Sequence, residues 1–222
     1  MLHLLPKQFL PNDMYNKRHL QSLHPRGIRL ISFGIRRSGS TFVYQSLCDL
    51  FQDGIIKTHL YYRNDFKIKV LATIRDFRDC LTSLCRCYHP KLEQLSANIL
   101  RKYERMIIPS IQALQRYQKY HECIILRYED FISNTDLIFD AIEALTEIEI
   151  SSDHRNNICQ SHSMEQNKII AAKMKNFHKF DPCNQIHGNH IHDGTSKWKQ
   201  YVSDPNIMDH IFGSALKQFN YS

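Results

Sequence analysis

The sequence predicts a three-layer α/β/α fold around a central parallel sheet, and three observations predict it. Short, nearly continuous apolar runs rich in β-branched residues recur along the chain. Segments of helical periodicity separate them. A glycine-containing loop with phosphate-binding spacing joins the first run to the first helical segment.

The runs are Leu30–Phe33, Ile55–Ile56, Val70–Ile74 and Cys123–Leu126. Their length and β-branched content suit strands buried on both faces. A helix over Phe42–Phe51 follows the first run, and one over 78–88 follows the third. Leu92, Leu95, Ile99, Tyr103 and Met106 recur at three or four and mark a long helix, which Pro109 is expected to kink or restart. Ile138, Ile142 and Leu145 mark another helix, with Asn134 or Thr135 as its cap. Residues 151–177 read as helical, 178–197 as irregular and 205–219 as helical again.

Residues 1–26 carry Pro6, Pro11 and Pro25 and read as an irregular lead-in. With 222 residues, no internal repeat and no low-complexity linker, the chain reads as one domain over 1–222. An apolar share of 42% supports a real core, and the formal charge of +7 favours acidic ligands. No apolar stretch of about 18 residues predicts a spanning helix. The opening MLHLLPKQFLPND is broken by Pro6, Lys7 and Pro11, unlike a secretory signal. The seven cysteines are irregularly spaced, with only a CxC at Cys85 and Cys87, and read as reduced thiols of a cytoplasmic protein.

Residues 34–41, GIRRSGST, match the spacing of the phosphate loop GxxxxGK followed by Ser or Thr, except that Ser40 replaces the lysine. A strand, a tight loop and a helix start bring backbone N–H groups and the helix dipole toward an anion. An NTPase uses that lysine on its β- and γ-phosphates. Here the cations come earlier, at Arg36 and Arg37, so the loop suits a different anion, with fewer phosphates in a row.

Open parallel sheets bind ligands at the carboxyl ends of their strands. After the first predicted strand lies the loop Arg36–Phe42. After the second come Lys57 and His59, after the third Arg75, and after the fourth Tyr128. A phosphate cradle, a Lys/His pair, an arginine and an aromatic residue thus share one edge.

Together these segments resemble the PAPS-dependent sulfotransferase family, where PAPS is 3′-phosphoadenosine 5′-phosphosulfate. RRSGSTF at 36–42 resembles the family's PKSGTTW loop, and KTHL at 57–60 its KTHL segment. RDFRDCLTS at 75–83 resembles the 3′-phosphate segment, RYEDF at 127–131 the YED segment, and GTSKWKQYVSD at 194–204 the late G-x-W-K segment. The resemblance spans roughly Arg29 to Ser203. It implies a sulfotransferase fold akin to the P-loop nucleotide kinases, and it implies roles. Arg37, Ser38, Gly39, Ser40 and Thr41, with Arg36 beside them, would cradle the 5′-phosphosulfate, and Phe42 would stack on adenine in place of the family's tryptophan. Arg75 and Ser83 would hold the 3′-phosphate, and Tyr128 would contact the adenosine. Lys57 would stabilise the bridging oxygen and His59 would be the general base, an imidazole with a pKa near neutrality suiting that task. Arg37 stands where the family has a lysine and would share in catalysis. The family's late R-K-G motif is absent, so Lys197, His190 or His192 would replace its phosphate contacts.

The resemblance also implies PAPS as co-substrate, its product 3′-phosphoadenosine 5′-phosphate (PAP), no metal, and a small-molecule, glycan or peptide acceptor. Other readings are a non-catalytic nucleotide-binding protein on this fold and a P-loop kinase. His187, His190, His192 and Asp193 could ligate zinc, although a polar loop bordering an anion site accounts for them as well. The basic residues are not interleaved with aromatics as in nucleic-acid binders, so neither nucleic acid nor membrane is an expected partner.

Overall fold

The computed structural model describes residues 30–51, 54–62, 67–174, 176–181, 184–188, 191 and 197–221. The lead-in expected over 1–26 lies outside them. Four parallel strands form the central sheet in the order β2-β1-β3-β4: β1 Leu30–Gly34, β2 Ile55–Thr58, β3 Lys69–Ile74 and β4 Glu122–Arg127. The helices among the described residues are α1 Ser40–Leu50, α2 Phe77–Tyr88, α3 Ala97–Tyr120, α4 Tyr128–Phe131, α5 Asp136–Thr146, α6 Ser152–Ser161, α7 Met164–Ala172, α8 Trp198–Tyr201 and α9 Asn206–Gln218.

Alternation along the strands feeds two cores. Ile31, Phe33, Val70, Ala72 and Ile74 face one layer, packed with Phe77 and Leu81 of α2, Ile107 and Leu114 of α3, and Phe212 of α9. Leu30, Leu71 and Leu126 face the other, packed with Val43 and Leu47 of α1, Ile138 and Ile142 of α5, and Ile158 of α6. The continuous apolar runs have this cause: each strand is covered on both faces. The expected three-layer α/β/α architecture is present.

Two expectations change in detail and a third, at Pro109, is narrowed. The long helix starts at Ala97 rather than near Leu92: Leu92 is 39% exposed, whereas Leu95 is fully buried and forms a parallel bridge to Val202. Helix α3 runs through Pro109 without a restart. Proline removes one ladder bond, while the buried stripe of Leu100, Tyr103, Ile107, Ile111, Leu114 and Tyr117 lies on both sides of it. The stretch 178–197 is not wholly irregular, since β5 (Phe180–Asp181) and β6 (Ile186–His187) form a short antiparallel hairpin. Asn134 supplies the cap expected before α5, its Oδ1 accepting from Asp136 N at 3.3 Å.

The register puts Gly34 opposite Thr73, Phe33 opposite Thr58, and Ile74 opposite Arg127. The carboxyl ends of all four strands therefore share one edge. After β1 the chain turns to the α1 layer, and after β3 to the α2 layer, which opens a crevice between their loops.

Candidate functional site

The loop after β1 is tied down from beneath. Ile35 N donates to Thr73 O at 3.0 Å, and Ser38 N donates to Ile35 O at 3.0 Å. The Ser38 hydroxyl is buried, donating to Thr73 O at 3.0 Å with Thr73 Oγ1 at 2.7 Å. Ser38 thus anchors the loop to β3, with its side chain turned into the sheet and not toward the crevice. Arg37 and Gly39 both have left-handed backbone, at φ 73 and φ 78. Left-handed residues in such turns curl N–H groups into anion-binding concavities. For Arg37 this conformation costs about 1–2 kcal/mol. At Gly39 no side chain fits, because a Cβ would lie 2.7 Å from Tyr128 Cδ2 and 2.8 Å from Phe131 Cζ. Helix α1 then begins at Ser40 with no side-chain cap and no acidic residue in its first turn. Phe42, in that turn, is half-buried against the Leu30–Leu71 core.

Lys57 and His59 meet the loop from β2. Lys57 lies within the strand, on its α1 side, and Nζ donates to Thr41 Oγ1 at 2.9 Å beneath the Tyr44 ring. Burial lowers its pKa to about 7, with Arg37 adding to the effect and Cys48 opposing it. His59 Nδ1 lies 2.7 Å from Gly34 O. A carbonyl only accepts, so Nδ1 carries the proton and Nε2 keeps its lone pair. Burial, then the charges of Arg36 and Lys57, hold the His59 pKa well below its ordinary value, against the Gly34 hydrogen bond. This corrects the expected near-neutral imidazole: burial, together with the neighbouring cations, holds the ring neutral.

The third strand end carries Arg75. Its guanidinium stacks on the Tyr128 ring, 4.5 Å from the centroid. Tyr128 is a buried platform, edge-on to Phe131 and beneath Gly39, and burial raises its pKa against the charges of Arg75 and Arg37. Arg37 Nε donates to Ser83 Oγ at 3.0 Å, joining the β1 loop to α2. Asp79 does not act only locally on α2: its Oδ1 accepts from the backbone of Lys197 at 3.2 Å and Trp198 at 3.1 Å, and so caps α8. The Lys197 side chain itself is exposed. The structure therefore brings Arg36, Arg37, Thr41, Lys57 and His59 together at one end of the crevice. Arg75, Ser83 and Tyr128 stand at the other, and the Arg37–Ser83 bond links the two.

Sequence reasoning set His187 in a polar loop bordering an anion site but missed the hairpin that holds it. It sits in β6, with Nδ1 2.9 Å from Phe177 O, stacked on Phe177 at 4.7 Å and tilted against Phe180 at 4.4 Å. Burial lowers its pKa to about 4, with Lys57, Arg37 and Arg36 contributing. A second neutral imidazole, also with its Nδ1 on a backbone carbonyl, thus belongs to the electrostatic neighbourhood of His59. The hairpin is docked on α1 through Gln45 Nε2, which donates to Asn184 O at 2.9 Å. Among the described residues no His/Cys/Asp/Glu group could hold a metal ion. His190, His192 and Asp193 lie outside the described residues.

No protein-family model matches the chain, and no curated protein matches it in sequence. Among solved structures, it is similar to the mouse sulfotransferase SULT7A1 complexed with PAP, with a TM-score of 0.63 over 94% of this chain and 95% of that chain. Sequence identity between the two is 14%. The expected sulfotransferase fold is thus found, at an identity that speaks for the fold alone.

Proposed function

We propose that the protein is a sulfotransferase that moves a sulfuryl group from PAPS to a hydroxyl or amine of a small molecule, glycan or peptide. The observation that carries this reading is one juxtaposition. A glycine loop without the kinase lysine lies beside Lys57 and beside a histidine whose Nδ1 is committed to Gly34 O.

The bound donor supplies a sulfuryl group activated by its 5′-phosphate. Nε2 of His59 accepts the acceptor's proton as the acceptor oxygen bonds to sulfur. The bond from sulfur to the bridging phosphate oxygen breaks in line, and its electron pair stays with PAP. Lys57 and Arg37 stabilise the charge that grows on that oxygen, and the N–H groups at Gly39–Thr41 hold the phosphate. Arg75 and Ser83 grip the 3′-phosphate, while Tyr128 and Phe42 flank the nucleoside. Lys197, carried beside α2 by the Asp79 contact, adds charge at that end. The six free thiols among the described residues fit a reducing compartment, and we assign the protein to the cytoplasm.

Thermal unfolding with PAP and with ATP and magnesium tests the donor. At about 100 times its dissociation constant a ligand adds roughly 2.7 kcal/mol, which for a chain this long raises Tm by about 5–10 °C. PAP should give that rise and ATP much less, whereas equal rises favour a kinase. Mass spectrometry of candidate acceptors incubated with PAPS should then show a gain of one sulfuryl group. A PAP response with no such gain across a broad panel favours a non-catalytic nucleotide binder.

A further inference from the structure

The Arg75 turn is held by a chain of contacts that starts in the segment after α9. Tyr221 is buried, its N–H donating to Leu216 O at 2.8 Å, and its ring packs edge-on against Phe77 at 5.7 Å. Arg127, at the end of β4, stacks on the same ring at 4.2 Å. The Arg127 guanidinium also donates to the carbonyls of Phe219 at 2.8 Å and Asn220 at 3.3 Å. Asn220 takes a left-handed φ of 54, which turns the chain so that Tyr221 comes back onto the sheet edge. Ring, guanidinium and backbone thus fix where the phenol oxygen lies.

That oxygen donates to Glu129 Oε2 at 3.0 Å, while Glu129 Oε1 accepts from Asp76 N at 2.9 Å. Asp76 follows Arg75 directly and caps α2, its carboxylate accepting from Arg78 N at 2.9 Å. Tyr128, which precedes Glu129, is the ring on which Arg75 stacks. Both residues of the Arg75–Asp76 turn are therefore seated on consecutive residues of α4. Glu129 is exposed, and a carboxylate on an exposed side chain has many rotamers; the Tyr221 hydroxyl selects the one that reaches Asp76.

We propose that Tyr221 is a positioning residue for the 3′-phosphate subsite: through Glu129 and Asp76 N it fixes the turn from which Arg75 reaches its anion. The proposal rests on the donor reading above, in which Arg75 meets the 3′-phosphate. Its consequence is that selectivity for PAP over adenosine 5′-phosphate depends on a hydroxyl that touches neither nucleotide.

Calorimetric titration of PAP and adenosine 5′-phosphate against wild type, Tyr221→Phe, Arg75→Ala and the double variant tests this. Tyr221→Phe keeps the ring, the Arg127 stack and the Phe77 contact, so the fold is retained, which its melting curve checks. PAP affinity should fall about threefold to tenfold, the range of an ordinary hydrogen bond's net contribution, and adenosine 5′-phosphate affinity should stay within about 1.5-fold. In the Arg75→Ala background the same change should add nothing, because coupled residues are non-additive. An unchanged PAP-to-adenosine 5′-phosphate ratio in Tyr221→Phe, or the same loss with and without Arg75, overturns the proposal and leaves Tyr221 as a staple for α9. Wild type that binds PAP no better than adenosine 5′-phosphate overturns the donor reading instead, and this proposal with it.

Discussion

The two ends of the crevice hold their charge differently. At the β3–β4 end, Arg75 lies on the Tyr128 ring, and Arg37 reaches across to Ser83. A guanidinium is a planar fork suited to gripping phosphate oxygens two at a time, and it does not give up its proton. At the β1–β2 end stand Lys57, whose pKa burial lowers to about 7, His59, held well below its ordinary value, and His187, lowered to about 4. Each of these three responds to an arriving anion, because a negative charge nearby favours the protonated form. On the proposed function the contrast would separate binding from chemistry: one end would recognise a fixed phosphate, and the other would change protonation during transfer.

The largest expected effect tests that separation. If His59 belongs only to chemistry, His59→Ala lowers turnover by about 10²–10⁴-fold and leaves PAP affinity within about twofold. Steady-state rates with a competent acceptor, alongside calorimetry with PAP, measure both quantities. Unchanged turnover would move the base to His187, the other imidazole with its Nδ1 on a carbonyl. A matching loss of PAP affinity would erase the distinction between the two ends.

The next effect concerns Lys57 and pH. Its folded pKa of about 7 lies below the ordinary 10.5, so between those values the unfolded chain holds the extra proton. Stability from this group therefore rises with pH across that window, and below about pH 7 the full cost of burying the ammonium is present. An anion bound beside Lys57 restores the ammonium, so PAP binding at pH 8 should take up as much as about one proton. Titrations in two buffers of different ionisation heat measure that uptake, and Lys57→Met should abolish it. PAP binding by wild type at pH 8 without proton uptake would mean that Lys57 does not meet the anion.

The sheet and the residues at its carboxyl edge were legible for one physical reason. Buried parallel strands need continuous apolar runs, and ligands meet such sheets where those runs stop, so Arg37, Lys57, His59, Arg75 and Tyr128 could be picked out by position alone. What escaped depends on contacts between distant segments. Leu95 follows helical spacing with Ile99, yet its partner is Val202. His187 stands on a hairpin of two-residue strands, which leave no periodic trace. That hairpin is docked by the Gln45–Asn184 bond, and Gln45 in turn donates to Asn167 Oδ1 at 3.1 Å. Glu129 and Tyr221 meet only because Asn220 reverses the chain after α9.

The smallest effect sharpens the comparison most, because Ser83 stands where the two ends touch. A hydroxyl has one proton to donate and two lone pairs. In the structure one lone pair accepts from Arg37 Nε at 3.0 Å. The proton remains for an anion, so Ser83 can bind the 3′-phosphate and steady Arg37 of the 5′ loop at once. Steadying matters because Arg37 has left-handed backbone, a conformation that costs a non-glycine residue free energy and needs surrounding contacts to persist. Ser83→Ala removes both contacts while keeping the Cβ, and Ser83 is only half-buried, so the fold should tolerate it. PAP affinity should then fall about threefold to tenfold, the range of an ordinary hydrogen bond's net contribution. Adenosine 5′-phosphate, which lacks the 3′ group, should lose about twofold, through Arg37 alone. Titrating both nucleotides against the variant separates the roles by their ratio. Equal losses would mean that Ser83 acts only through Arg37, and the 3′-phosphate would then rest on Arg75 without it. No loss of either would mean that neither nucleotide draws on Ser83 or on the Arg37–Ser83 bond.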